Sequence, residues 1–219
     1  MTVGDFIDIT HNLSADMAVW PGDTEFRLAW TQRLDDGAPV NLSRLTLSPH
    51  TGTHIDAPLH FTDDSPSVDQ LPLSLLVGSC LVLDLRPHLP PDTDRPEITV
   101  TVLEASADRL TTAVPTRVLV RTGYAFERPF NTDFARFSTG AIRWLASRGV
   151  SLLGTDAPSV DDFDSKGMDA HLACVNHGVT ILEGLNLHEV SPGSYHLIAL
   201  PMKIAGAEGA PVRALLQPR

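Results

Sequence analysis

The chain has 219 residues, 16 Lys+Arg against 27 Asp+Glu, and a formal charge of −11. This balance argues against nucleic acid and an anionic membrane surface as partners, because phosphate binding needs clustered positive charge. The length fits one domain, here residues 1–219, with most of its unfolded surface able to leave water.

Taken in chain order, short β-branched runs at residues 6–10 and 44–47 read as strands. CLVLDL at 80–85 and RVLVR at 117–121 are nearly continuous apolar runs, as in strands covered on both faces. Residues 87–97 (PHLPPDTDRPE) read as a surface loop, and 101–110 as a helix. The clearest helix is 138–148: Ser138 and Thr139 can cap it, Ile142, Leu145 and Ala146 form its apolar stripe, and Gly149 suits its end. Strands follow at 150–154, 179–182 and 195–200, with a third helix at 166–176 before Gly178. Helices are fewer than strands and do not alternate with them, so the fold class is a mixed α/β domain. Cys80 and Cys174 read as small core residues, and two cysteines suit a reducing cytoplasm. The first residues, MTVGDFIDITHN, lack the basic head and apolar core of a signal peptide, and no apolar run reaches membrane-span length.

Three of the nine histidines fall at positions 50, 54 and 60, within Ser48-Pro-His-Thr-Gly-Thr-His-Ile-Asp-Ala-Pro-Leu-His. Pro49, Gly52, Pro58 and the threonines oppose a helix. In a strand, His50, His54, Asp56 and His60 would share a face. At about 3.3 Å per residue, however, the Cα atoms of His50 and Asp56 would lie roughly 20 Å apart, too far to share one ion. If His50, His54 and Asp56 bind one metal the chain must bend, and Gly52 permits a bend. Histidine and carboxylate without thiolate suit Zn²⁺, Mn²⁺ or Fe²⁺. Further ligands could come from His171, which composition alone places on a helix surface. Glu183 is a second candidate: it follows an apolar strand, where either a metal or an Arg would offset its burial. No G-x-S-x-G, P-loop or dinucleotide-binding pattern is present.

The H-T-G-T-H-I-D-A-P-L-H run resembles the signature of the metal-dependent cyclase-like hydrolases. The chain as a whole is similar to the bacterial kynurenine formamidases among them. The resemblance is carried by DITHNLS (8–14), VWPGDT (19–24), residues 39–61, DAPSVDDFDSKGMDAH within 152–171, ILEGL (181–185) and residues 197–215. It implies a swivelling β/β/α fold with a barrel-like β core, a homodimer, and two divalent ions, zinc in most cases. His50, His54, Asp56 and Glu183 match the positions holding one ion, and Asp56, His171 and Glu183 those holding the other. His60 matches the proton-transfer residue. Trp20 matches a substrate contact; the blander reading is that it seals the core beside Pro21. The implied activity is hydrolysis of the small molecule N-formyl-L-kynurenine, an aryl formamide of tryptophan degradation. Isatin hydrolase is the same-superfamily alternative, and a metal- or ligand-binding protein without turnover is the alternative of another class. Residues 123–137 depart from the pattern, where a more aromatic, Trp-containing loop is expected.

Overall fold

The computed structural model describes residues 6–91, 93–106 and 115–219. Twelve strands occur in chain order among them. They are β1 (Ile7–Asp8), β2 (Arg27–Gln32), β3 (Leu42–Thr46), β4 (His54–Asp56), β5 (Val77–Asp84), β6 (Glu97–Ile98), β7 (Arg117–Arg121), β8 (Arg136–Phe137), β9 (Leu152–Thr155), β10 (Thr180–Glu183), β11 (Gly193–Pro201) and β12 (Gly209–Pro218). The α-helices are α1 (Leu73–Leu76), α2 (Val100–Ala105), α3 (Thr139–Ser147) and α4 (Asp169–Asn176).

The central sheet runs β1-β12-β11-β5-β7-β9-β10-β4, and β4 also pairs with β12. That second pairing closes a seven-stranded barrel, with β1 attached to the outer edge of β12. β5, β7, β9 and β10 are mutually parallel, and the remaining barrel pairings are antiparallel. Side chains alternate across the wall. Cys80, Val82, Leu119, Leu152 and Leu182 fill the interior together with Ile55, Leu197 and Leu216. Leu81, Leu83, Val118, Val120, Leu153 and Ile181 point outward and pack under α2, α3 and α4. This explains the continuous apolar runs: both faces of these strands are covered.

The mixed α/β reading holds, with shifted boundaries. Ser138 caps α3 through Ala141 N–H at 3.1 Å, and Gly149 follows it at φ +85°. α2 begins earlier than expected, because Thr99 rather than Thr101 caps it; residues 107–110 of the expected helix lie outside the described residues. α4 starts at Asp169, since Met168 at φ +50° cannot be helical. β2 and β12 escaped the reading of the sequence. β2 is exposed along its whole length and so has no buried stripe. β12 carries Gly209 and Pro211, which argue against a central strand. Both cysteines are buried and unpaired, as expected. Among the described residues no helix is long and apolar enough to cross a membrane.

Candidate metal centre

The site lies on the outer wall of the barrel, between β4, β10 and α4. Ile55 enters the barrel interior, so its neighbours His54 and Asp56 point outward. β10 pairs antiparallel with β4, setting Ile181 opposite Asp56 and Glu183 opposite His54. Glu183 therefore emerges on the same face. α4 crosses this face and lowers His171 onto it, buried rather than on the helix surface.

The expectation of a single strand face for the four histidine-run residues fails, and the expected bend replaces it. Only His54–Asp56 is strand; His50 sits in a turn and His60 in a short 3-10 helix, Pro58–His60. Gly52, at φ +68°, turns the chain, and a Cβ there would lie 2.9 Å from Met17 Cε. The turn carries His50 back so that its Nδ1 lies 3.0 Å from Asp56 Oδ1. Gly209, opposite Asp56 on β12, leaves room for the His50 ring.

His54 Nε2 is 3.4 Å from both Asp56 Oδ1 and Glu183 Oε2. His171 Nε2 is 3.3 Å from Glu183 Oε1 and 3.6 Å from Asp56 Oδ2. Charge-assisted hydrogen bonds are shorter, about 2.7–2.9 Å. Spacings near 3.4 Å are instead those of ligand atoms arranged tetrahedrally about an ion at roughly 2.1 Å. The other ring nitrogens are already committed. His54 Nδ1 donates to Gly52 O at 2.9 Å, and His171 Nδ1 to Asp161 Oδ2 at 2.6 Å. This directs both Nε2 atoms at the carboxylates. His50 Nε2 is buried without a hydrogen-bond partner. The donor set of imidazoles and carboxylates fits a divalent cation.

Electrostatics agree. Burial opposes charge on His54, but the Asp56 and Glu183 carboxylates facing its Nε2 outweigh it and push the imidazole up to about 10. Burial likewise opposes charge on His171, and Asp161 and Glu183 push it up to about 10. Burial would raise Asp56, yet His50 and His54 hold it well below the usual carboxylate range. Burial and repulsion by Asp56 would both raise Glu183, but His171 and His54 lower it. Two buried carboxylates thus demand positive charge, and a cation would compete for it with ring protons.

Sequence reasoning did not single out Asp161. Its carboxylate accepts Ala170 N–H and His171 N–H, each at 3.0 Å, capping α4 in place of Met168 while clasping the His171 ring. The only signal was an acidic cluster, Asp161, Asp162 and Asp164, in which no member stands out.

The cluster forms the floor of a cavity of about 410 Å³ that Trp20, His60, Phe126, Phe130 and Phe163 also line. Trp20 faces this space rather than the core, its ring centroid 4.9 Å from that of Phe163 and 5.5 Å from that of Phe130. His60 is exposed and stacks on His50 at 4.0 Å. The 123–137 segment does border the cavity, supplying Phe126 and Phe130 where a Trp was expected. The described residues of the loop at 87–97 do not line this cavity; they border a different cleft.

A family model for Cyclase matches residues 7–162. The chain belongs to the Cyclase family. A kynurenine formamidase of Salinibacter ruber (strain DSM 13855 / M31) is 44% identical over 214 residues, covering 96% of each chain. One from Erythrobacter litoralis (strain HTCC2594) is 42% identical over 213 residues, covering 96% of this chain and 92% of its own. A solved structure described as a potential metal-dependent hydrolase with cyclase activity is 31% identical, with a TM-score of 0.81 and 98% coverage of both chains. Isatin hydrolase A from Labrenzia aggregata is 27% identical, with a TM-score of 0.85, 97% coverage of this chain and 93% of its own. The barrel with its covering helices is thus the fold of cyclase-family hydrolases.

Proposed function

We propose that this protein is an amidohydrolase that cleaves N-formyl-L-kynurenine to L-kynurenine and formate, a step of tryptophan degradation. The observation that carries this reading is the convergence of three imidazoles and two carboxylates under an aromatic cavity, in a chain 44% identical to a kynurenine formamidase.

His50, His54, Asp56 and Glu183 would hold one divalent ion, and Asp56, His171 and Glu183 a second, with both carboxylates shared. Zinc is the expected metal, and Mn²⁺ or Fe²⁺ would suit the same donors. When bound, such ions supply Lewis acidity toward a carbonyl oxygen and toward water. His60 takes a proton from the attacking water and returns it to the aniline nitrogen as the C–N bond breaks. Desolvation at the cavity wall lowers the His60 imidazole from its ordinary value, which favours the neutral ring that a general base needs. Trp20, with Phe130 and Phe163 beside it, stacks on the aryl ring.

A purified-enzyme assay on N-formyl-L-kynurenine and isatin in parallel tests the reading. Formanilide cleavage abolished by a chelator and restored by Zn²⁺, Mn²⁺ or Fe²⁺ is expected. Faster turnover of isatin would assign the protein to the other hydrolase activity, and no turnover of either would leave only binding.

The protein further reads as a cytoplasmic homodimer. Its buried free thiols suit a reducing compartment. The β2–β3 ribbon sets Leu28 opposite Leu45, both exposed, with Trp30 exposed beside them. A two-stranded ribbon is marginal alone in water, so a second copy covering this face would stabilise it. Sedimentation at micromolar concentration should give the mass of two chains.

A further inference from the structure

Trp20, Pro21, Gly22 and Asp23 form a tight turn. Asp23 N–H donates to Trp20 O at 3.0 Å, Pro21 takes the second position, and Gly22 takes the third at φ +91°. That is the pattern of a type II turn, whose third position needs a positive φ. It puts Trp20 and Asp23 at one end of a rigid four-residue unit, and both line the cavity above the metal-ligand cluster.

Asp23 has no part in that cluster. Its Oδ1 accepts Thr24 N–H at 2.6 Å, and among the described residues no Lys, Arg or His pairs with it. No Lys or Arg lines the cavity among the described residues either. The wall therefore carries one half-buried carboxylate with an oxygen to spare and no cation of its own. Asp56 and Glu183, the other two acids of the lining, are engaged with histidines.

We propose that Asp23 is a specificity-determining residue that receives the α-ammonium group of an amino-acid-bearing aryl formamide. This inference rests on the formamidase reading and adds to it the reason why the substrate is an amino acid. N-formyl-L-kynurenine has an aryl ring, a formamide on that ring, and a side chain ending in ammonium and carboxylate. With the formamide at the cluster and the ring against Trp20, the neighbouring Asp23 is the one free anion available to the ammonium. Isatin and simple formanilides lack that cation, so Asp23 would give them nothing. A charge-assisted hydrogen bond of this kind corresponds to roughly ten- to a hundredfold in affinity.

The test compares Asp23→Asn with wild type on N-formyl-L-kynurenine and on its desamino analogue, 4-(2-formamidophenyl)-4-oxobutanoate. Asn keeps the oxygen that accepts Thr24 N–H, so the turn is retained. For N-formyl-L-kynurenine, kcat/KM should fall about tenfold or more, chiefly through KM. For the desamino analogue it should stay within about twofold or improve, because the unpaired carboxylate no longer faces a second anion. Equal losses on both substrates would show that Asp23 only shapes the turn and would overturn the proposal. Unchanged KM for N-formyl-L-kynurenine would overturn it as well. Either result, with wild type active on N-formyl-L-kynurenine, leaves the formamidase reading standing. Wild type inactive on both substrates overturns that reading and this inference together.

Discussion

At the scale of single residues, His60 lies close enough to His50 and Asp56 for the three to face one ion, so a variant decides whether it binds a cation or moves a proton. His60 stacks on His50 but is exposed, whereas His54, Asp56, His171 and Glu183 are all buried. His60→Ala should keep metal content near wild type and lower kcat by roughly 10²-fold or more. Elemental analysis showing lost metal would make His60 a ligand instead. Asp56 lies within 3.0–3.6 Å of nitrogens from His50, His54 and His171. Asp56→Ala should therefore lose all bound metal, and a full-occupancy ion remaining would refute its shared role. Asp161→Asn is subtler. Asn can keep its one oxygen on the His171 ring and His171 N–H, but its NH2 then faces Ala170 N–H and the charge is lost. Removing such an outer partner typically costs about 10- to 100-fold in metal affinity. Chelator competition should detect that loss while far-UV dichroism stays unchanged.

At the scale of elements, three pieces converge by different physical means. The β4–β10 ladder positions His54, Asp56 and Glu183 through register alone, and a one-residue slip would turn all three into the barrel. α4 supplies His171 by packing Ala170 and Cys174 onto the barrel wall. The turn at Gly52 brings His50 back over β4. A side chain at Gly52 meets both an unfavourable φ of +68° and the Met17 side chain. Gly52→Ala should thus destabilise the fold by about 1–3 kcal/mol in denaturant unfolding. The same variant should bind metal more weakly, because His50 would be displaced.

At the scale of the whole molecule, metal and fold stability are linked. Asp56 and Glu183 are nearly fully buried between an apolar barrel and its covering helices. A cation that binds this arrangement and not the unfolded chain stabilises it by about 2.7 kcal/mol at a hundred times its Kd. For a chain of this length that corresponds to roughly 5–10 °C in Tm. Calorimetry with and without chelator should show a drop of this size, reversed by adding Zn²⁺. An unchanged Tm would mean that the cluster holds no ion under those conditions.

Much of this was legible beforehand. The histidine run marked a candidate metal-binding stretch locally, because donor type and spacing are properties of the chain itself. The apolar runs at β5 and β7 marked strands covered on both sides, and Ser138 and Gly149 bounded α3, since capping and left-handed turns are decided within a few residues. The resemblance carried His171 and Glu183, which composition left ambiguous. Tertiary structure alone decided the rest. Glu183 meets His54 across 129 positions because β4 closes the barrel between β10 and β12. Asp161 stands out from neighbouring acids only because α4 docks against it. Trp20, Phe130 and Phe163 form one wall only once the chain has folded back on itself. Such contacts are set by sheet register and helix packing over long separations, which local propensity does not encode.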